Sequence, residues 1–423
     1  MMSNNIASHT RSLSLAVFQI VAVLFSVTVG CIDAEAGEFT IKPSLILREA
    51  YDDNIFLTQD NKESDYITQV LPSVNMTYTA PVWQWTLDYT LNWWYYANLG
   101  ETKDSHYAKL VSKTKVIENF LYLDVFDSYT SVVLNERRAY SESNLFQNRS
   151  DTNTLSASPY IKYQIDPSLI LTGGYRYTNI WYREDQGINR QLHTGYVSGE
   201  YKISPVLTLQ AGADYTADMP EDPDPDDNQM SLSVGAIYKI GPKMTLDGNL
   251  GYRWVDFDSE DEDDERRPLY NIGLVYLLAE QGQIEIRALS SLVMSPSRGL
   301  YDSRLEQVAV RYGEAFSIKG SIFHRYDKYL QEDRKDDIYG VTAGLEYRPD
   351  QRLTFGIGGR YEHDKYKPEN EKRNIYAASL GVDYKLAPRA TAGVMYNYTK
   401  SDGDRPDDNY TENIVGIQLR LEI

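Results

Sequence analysis

The sequence alternates between apolar and polar residues with a period of two along most of its length. The stretch Trp83–Tyr96 is the clearest case, with large apolar residues at every second position. Its apolar positions are Trp83, Trp85, Leu87, Tyr89, Leu91, Trp93 and Tyr95, and its polar positions are Gln84, Thr86, Asp88, Thr90 and Asn92. Successive side chains of a β-strand point to opposite faces, so the pattern predicts a strand with one apolar face. Because the pattern recurs, at residues 339–348, 353–362 and 415–423 among others, we predict an all-β protein.

The segments between these strands fall into two classes that take turns along the chain. Short turns containing Pro or Gly are predicted at residues 80–82, 165–168, 203–205, 240–243, 279–282, 312–315, 348–351 and 386–389, with a ninth near 117–119. Longer, mostly acidic loops are predicted at residues 52–64, 135–150, 218–228, 256–267, 330–336 and 401–409. This order is typical of a closed up-and-down barrel with periplasmic turns and extracellular loops. A β-sandwich would not keep the two classes apart in this way.

Together these patterns predict a transmembrane, up-and-down antiparallel β-barrel of about 20 strands (18–22), with both termini on the periplasmic side. In such a barrel the apolar face contacts lipid, and closure pairs the backbone groups that hydrocarbon would leave unsatisfied. The 35 tyrosines, against 11 phenylalanines, fit the aromatic girdles at the two membrane interfaces. The alternative is a tyrosine-rich soluble β protein.

The N-terminal region has the three parts of a secretory signal peptide. Arg11 precedes the uncharged residues 13–32, and the small-residue site Ala34-Glu35-Ala36 follows. We therefore predict a signal peptide over residues 1–36 and a barrel over residues 37–423. A retained membrane anchor and lipidation at Cys31 are the alternatives. Cleavage after Ala36 would remove the only cysteine, so we expect no disulfide or thiolate metal site.

The formal net charge of −19 argues against nucleic acid as a partner, because nucleic acid calls for a basic surface. Expected partners are outer-membrane lipid and lipopolysaccharide, together with periplasmic export components. The sequence leaves the oligomeric state open.

A resemblance to a known family lies just after the first predicted strand. Residues 49–56 read E-A-Y-D-D-N-I-F, and Asp65-Tyr66-Ile67-Thr68 follows. This stretch resembles the opening of the putative β-barrel porins of the second type. The resemblance implies a Gram-negative outer-membrane barrel of the kind found with polysaccharide-export and exosortase systems. One departure is the last residue, Ile423, where such barrels usually carry an aromatic residue that the assembly machinery reads.

The polar face of each strand should line the lumen. Candidate lining residues are Asp88, Glu285, Arg287, Arg311, Lys319, Arg325, Glu346, Arg360, Glu362 and Arg420, with Asp383 and Lys385 on the same face. One interpretation is a constriction with opposed charged walls that selects polar solutes. The favoured interpretation is a polar lining whose charges pair across strands. An error of one residue in register would exchange the two faces.

Two acidic segments, 218–227 and 258–265, carry carboxylates of the kind that bind calcium. Neither has the glycine of an EF-hand loop, so we expect solvated charge, bridged to lipopolysaccharide by divalent ions, and no metal site or cofactor. None of His106, His193, His324 and His363 lies in an H-E-x-x-H motif. The best candidate for hydrolysis is the pair His363-Asp364, which we interpret as an ordinary rim pair.

The predicted function is therefore non-enzymatic. The first hypothesis is an outer-membrane, porin-like channel for polar solutes or an extracellular polysaccharide. The second is a non-conducting structural or assembly barrel of a polysaccharide-export or surface-anchoring system, and a rim hydrolase is third. Residues 135–150 are the candidate for a loop that folds into the lumen, because this loop is long and only mildly charged.

Overall fold

The computed structural model describes residues 37–135, 137–138, 148–221, 224–260, 262–279 and 281–423. These residues form twenty β-strands and one short 3-10 helix, Pro406–Asp408. The strands are β1 Glu38–Asp52, β2 Asp65–Thr79, β3 Trp83–Tyr96, β4 Glu101–Ile117, β5 Leu121–Val133, β6 Arg149–Gln164, β7 Leu169–Tyr182, β8 Arg190–Ser204, β9 Leu207–Pro220, β10 Asp227–Ile240, β11 Met244–Phe257, β12 Glu265–Ala279, β13 Gly282–Ser295, β14 Gly299–Tyr312, β15 Phe316–Tyr329, β16 Lys335–Tyr347, β17 Leu353–Lys367, β18 Glu371–Ala387, β19 Ala390–Gly403 and β20 Tyr410–Glu422. In these ranges no helix is long and apolar enough to cross a membrane.

Each strand pairs antiparallel with the next, and the last pairs with the first. The seam between β1 and β20 runs from Ser44 opposite Glu422 to Asp52 opposite Ile414. It is shorter than the neighbouring β1–β2 ladder, which starts at Glu38 opposite Thr79. The described residues therefore form a closed antiparallel barrel of twenty strands. The predicted fold class is confirmed.

The two ends of the barrel differ. We call the end with both chain termini and the short connections the turn end, and the opposite end the loop end. All nine predicted short turns lie at the turn end. At the loop end, however, the β3–β4, β13–β14 and β17–β18 connections are also short. Strict alternation of short and long connections was therefore wrong, because polar residues near 101–105 and 295–304 continue the strand ladders.

The two faces of the wall have different chemistry. Large apolar side chains point outward and remain exposed along the wall, as Val234, Ile357 and Ile417 do. Inward-facing residues are mostly polar, and towards the turn end most of them are half-buried and the others exposed to the lumen. Towards the loop end they are buried, in clusters that include Ile55 with Tyr96. The barrel thus has a wet lumen at one end and a packed interior at the other.

Candidate functional site

The strand register places all ten candidate lining residues on the inward face. They lie on β3 (Asp88), β13 (Glu285, Arg287), β14 (Arg311), β15 (Lys319, Arg325), β16 (Glu346), β17 (Arg360, Glu362) and β20 (Arg420). Those on β13 to β17 share one continuous strip of wall, because these strands are consecutive neighbours. Asp88 and Arg420 lie apart from that strip. The residues therefore line the lumen and do not converge on a single point.

Most of these charges have a partner on the same wall. Arg287 Nε donates to Glu285 Oε1 at 2.9 Å, and Arg360 Nη2 donates to Glu362 Oε2 at 2.6 Å. The other pairs are Arg325 Nε with Asp327 Oδ2 at 3.0 Å, Asn75 Nδ2 with Asp88 Oδ1 at 2.6 Å, and Arg348 with Glu346. Paired charges of this kind keep a surface hydrated without a strong field of either sign.

Three of the candidate cations differ from the rest. Arg311, Lys319 and Arg420 have no ion pair within the described part of the chain, and all three lie near the turn end. Arg311 and Lys319 are directly opposite each other on β14 and β15. Two like charges side by side at a wet mouth favour the entry of anions over cations.

The loop end is crossed by a contact between opposite walls. Arg137, in the β5–β6 connection, reaches β16 and the β17–β18 connection, although β6 and β16 are ten strands apart in a ring of twenty. Its guanidinium donates to Asp336 Oδ1 at 2.9 Å, to Glu369 Oε2 at 3.1 Å and to the Lys367 carbonyl at 3.2 Å. It also lies 4.6 Å from the centre of the Tyr366 ring. We call this contact the Arg137 latch.

The acceptor side of the latch is held independently of Arg137. Arg334 donates to the buried Asp336 from both Nε and Nη2, and its guanidinium lies 4.1 Å from the Tyr329 ring. Tyr366 donates to Asp364 Oδ2 at 2.8 Å, and the same carboxylate is bound by Arg373. On the other side, Arg405 donates to the Arg137 carbonyl oxygen. The Asp408 carboxylate beside it raises the pKa of Arg405, although burial opposes the shift.

Residues 135–150 are the candidate, from their length and mild charge, for a loop that folds into the lumen. Residues 136 and 139–147 lie outside the described residues. Arg137 is one of the described residues of this loop, and it is buried against the far wall. The sequence gives little indication that Arg137 makes these contacts, because its partners Asp336 and Glu369 lie about two hundred residues away in the sequence.

A second inward feature is the β13–β14 hairpin. Near the turn end its outward face carries Ile286, Val308 and Val310, which are exposed as lipid-facing residues should be. Further along the same face, Leu300 is only 1% exposed and packs with Val255 and Phe257, which are inward-facing residues of β11. The ladder between β12 and β13 ends at Asn271 opposite Leu289. β13 therefore separates from β12 there, while β14 stays paired with β15 up to Tyr301 opposite Tyr329, and the end of the hairpin bends into the lumen.

The tip of this hairpin contacts three other connections. The Ile188 amide donates to the Pro296 carbonyl at 2.8 Å, which joins the tip to the β7–β8 connection. Ser297 Oγ donates to the Leu134 carbonyl at 2.8 Å, beside the latch. Arg298 Nη1 binds both carboxylate oxygens of Glu332. The hairpin and the latch thus narrow the lumen at one level.

The acidic β9–β10 connection was predicted to carry solvated charge. This prediction is wrong for part of the segment, because some of its carboxylates are buried. Asp218 and Asp227, at the adjoining strand ends, are buried. Arg190 Nη1 binds Asp218 Oδ2 at 2.6 Å, and its Nη2 lies 3.5 Å from Asp224 Oδ2. Burial raises the pKa of Asp224, and the nearby Arg190 opposes that shift. Residues 222, 223 and 261 of the two acidic segments lie outside the described residues. Among the residues that are described, no group of three or more acidic, histidine or cysteine side chains could hold a metal ion.

The N-terminal motif forms a clasp at the β1–β20 seam. Asp53 accepts from the Asn413 amide and side chain, both at 2.7 Å. The fully buried Asn54 donates from Nδ2 to the carbonyls of Thr58 at 2.7 Å and Thr411 at 3.0 Å, and its Oδ1 accepts from the Thr58 amide. Ile55, next in the motif, joins the interior cluster.

The four histidines of the described residues, His106, His193, His324 and His363, lie on the outward face, 3 to 5 residues from the loop end of their strands. His363 Nδ1 is 2.9 Å from Asn374 Oδ1, whereas Asp364 points into the lumen and binds Arg373. Successive strand residues face opposite ways, so His363 and Asp364 do not form a pair.

The model of the family described as "Putative beta-barrel porin 2" matches the chain at residues 30–113 and 337–423. The resemblance to this family is confirmed. The first matched region contains the seam motif. Because β20 pairs with β1, the described residues of the two regions, 37–113 and 337–423, form one continuous wall across the seam. No curated protein matches the chain by sequence.

Solved structures with the same fold are outer-membrane barrels. A mutant of the ferric enterobactin receptor PfeA from Pseudomonas aeruginosa is 9% identical, with a TM-score of 0.53, and the alignment covers 90% of this chain and 80% of that one. The F5-1 variant of the FrpB iron transporter from Neisseria meningitidis is 9% identical with a TM-score of 0.50, covering 90% of this chain and 82% of that one. At this identity the likeness concerns the fold alone.

Proposed function

We propose that the chain is a porin-like channel of a bacterial outer membrane that passes polar solutes or an extracellular polysaccharide. The observation that carries the proposal is the mostly polar inward face of the strands towards the turn end, where side chains are half-buried or exposed. The turn end, with both termini, would face the periplasm, and the loop end the exterior. Periplasmic export components and lipopolysaccharide are the proposed partners.

The latch and the hairpin set the expected behaviour of this channel. Because both narrow the loop end, the resting barrel should conduct less than an open porin of the same strand number. Arg311 and Lys319, which have no ion pair among the described residues, lie near the turn end and should concentrate anions there.

The test is conductance of refolded protein in a planar bilayer. We expect small, anion-preferring currents, and a lower anion preference in the double variant Arg311→Gln, Lys319→Gln. Removing two charges at a pore mouth should lower the permeability ratio of chloride to potassium by roughly threefold. The paired variant Glu285→Gln, Arg287→Gln removes one charge of each sign and should leave the ratio close to that of the wild type. The channel proposal would be contradicted if the folded wild type passed no current and a folded variant without the latch passed none either.

The loop-end closure favours a second candidate, a non-conducting barrel that scaffolds a polysaccharide-export or surface-anchoring system. The Arg137 latch joins opposite walls through charged hydrogen bonds, as a permanent plug would. This candidate predicts partners that co-purify from membranes and no current after the latch is cut.

We further propose that the barrel is not an enzyme. The separation of His363 from Asp364 supports this, because general-base catalysis needs the two groups within hydrogen-bond reach. Phospholipid or peptide hydrolysis by purified protein that disappears in His363→Ala would overturn it.

A further inference from the structure

Five lysines lie together on the outward face of the barrel at the loop end. They are Lys335 on β16, Lys365 and Lys367 on β17, Lys372 on β18 and Lys400 on β19. The strand register puts them on the same face as the exposed apolar residues Ile357, Leu380 and Val394. We call them the lysine patch. In a chain with a net charge of −19, such a concentration of positive charge is unusual.

The patch contains repulsive contacts that the protein does not fully compensate. Lys335 is directly opposite Lys367, and Lys365 is directly opposite Lys372. Like charges directly opposite on neighbouring strands destabilise a sheet. Lys335 Nζ is 3.3 Å from Asp333 and Lys400 Nζ is 3.9 Å from Asp402. Across the described ranges, Lys365, Lys367 and Lys372 have no ion pair, so an anion from outside the protein would relieve their repulsion.

The nearby acidic groups are already engaged. Asp337 is directly opposite Lys365 on the same face, but its carboxylate lies 2.7 Å from His324 Nε2. Asp404 accepts from the backbone amide of Lys372 at 2.8 Å. Because of these contacts, neither carboxylate forms an ion pair with the ammonium groups of Lys365, Lys367 and Lys372.

Aromatic residues indicate where the lysine patch lies along the barrel axis relative to the membrane. Tyr339, Tyr361 and Tyr376 lie on the same outward face and are exposed; they lie on the turn-end side of the lysines of β16 to β18, and Tyr376 is directly opposite Lys400. The rings of Tyr361 and Tyr376 are 5.1 Å apart, and Lys365 Nζ is 5.5 Å from the centre of the Tyr339 ring. Outward rows of tyrosine mark the membrane–water interface of barrels. The lysines just beyond such a row would lie among lipid headgroups.

We propose that the lysine patch binds the phosphate groups of an anionic lipid headgroup in the outer leaflet. Ammonium groups bind phosphate as point charges, and each lysine near an anionic membrane surface strengthens binding. The site rests on the outer-membrane location proposed above, and it does not depend on whether the barrel conducts.

The test compares a patch variant with a matched control. The patch variant is Lys365→Gln, Lys367→Gln, Lys372→Gln. The control is Lys162→Gln, Lys202→Gln, Lys239→Gln, which removes the same charge from exposed, inward-facing positions at the turn end. Heat-modifiable gel migration first establishes that all three proteins are folded. Binding of lipid A, of dephosphorylated lipid A and of inorganic phosphate is then measured in detergent by native mass spectrometry.

We expect the patch variant to bind lipid A more weakly by about a hundredfold, at about fivefold for each lysine, and the control to bind like the wild type. Dephosphorylated lipid A should bind the wild type as weakly as lipid A binds the patch variant. Equal lipid A binding by the wild type and the patch variant, or an equal loss in the control, would overturn the proposal. If inorganic phosphate alone binds with this lysine dependence and lipid A does not, the ligand is a free anion and the lipid assignment is wrong.

Discussion

Replacing Arg137 by alanine should open the barrel. The substitution removes the charged hydrogen bonds to Asp336 and Glu369 and the stacking on Tyr366. Asp336 keeps its bond to Arg334, so no buried charge is left alone and the wall should remain folded. Losing about 3 kcal/mol of docking energy would shift the closed state toward the open one by up to about a hundredfold. Single-channel recordings should therefore show longer and larger openings than the wild type.

The neighbouring residue provides the control. Arg138 lies next to Arg137 in the same connection, but its side chain is exposed. Arg138→Ala removes the same charge without touching the far wall, and its recordings should match those of the wild type. If both variants raise the current equally, the effect comes from charge at the mouth and the latch is not a gate.

Asn54→Ala should weaken the seam more than any exposed substitution in the same loop. The change leaves the amide and the carbonyl of Thr58 without their partner beside the fully buried position 54, whereas the Thr411 carbonyl still accepts from Lys62 Nζ at 2.8 Å. Each buried polar group that loses its partner costs about 1–3 kcal/mol, so we expect the unfolding free energy to fall by about 3 kcal/mol or more. The temperature at which the folded gel band converts to the unfolded one should drop accordingly.

Gln59→Ala is the matched comparison, because Gln59 also carries an amide in the β1–β2 connection but is exposed. Its conversion temperature should stay within a few degrees of the wild type. An Asn54→Ala protein as heat-stable as Gln59→Ala would mean that the motif does not hold the seam.

The barrel itself could be predicted because its determinants are local. Alternation with a period of two reports which face of a strand is apolar, and Pro or Gly in the short turns fixes where each strand ends. The stretch around Asp88 shows both signals, and the structure places Asp88 inward as the alternation indicates.

The closure of the loop end could not be predicted in the same way. Leu292, Met294 and Leu300 continue the apolar alternation of their strands, so they read as lipid-facing although they pack inside. What differs is the loss of β12–β13 pairing beyond Leu289, which depends on tertiary contacts. The Arg137 latch depends on partners distant in sequence, and only the length and mild charge of the loop pointed to it.

The E-A-Y-D-D-N-I-F stretch shows a different limit. Its likeness to a family marked it as notable, but its acidic residues read as loop charge. In the structure Asp52 and Asn54 are buried, and Asp53 binds Asn413 across the seam. Sequence could flag the motif, whereas its role required the position of β20.

We expect the apolar outward face of the barrel to contact lipid and its polar inward face to contact water. This arrangement is tested most directly by cysteine scanning of β17, since residues 37–423 contain no cysteine. Single cysteines are placed at the inward positions Thr354, Arg360 and Glu362 and the outward positions Phe355, Ile357 and Tyr361, and the protein is reconstituted in lipid bilayers. A charged, membrane-impermeant thiol reagent should label the inward Thr354 and Arg360 sites readily, Glu362 more slowly, and the outward Phe355 and Ile357 sites hardly at all. Equal labelling of both sets within the bilayer would contradict the barrel with lipid outside and water inside.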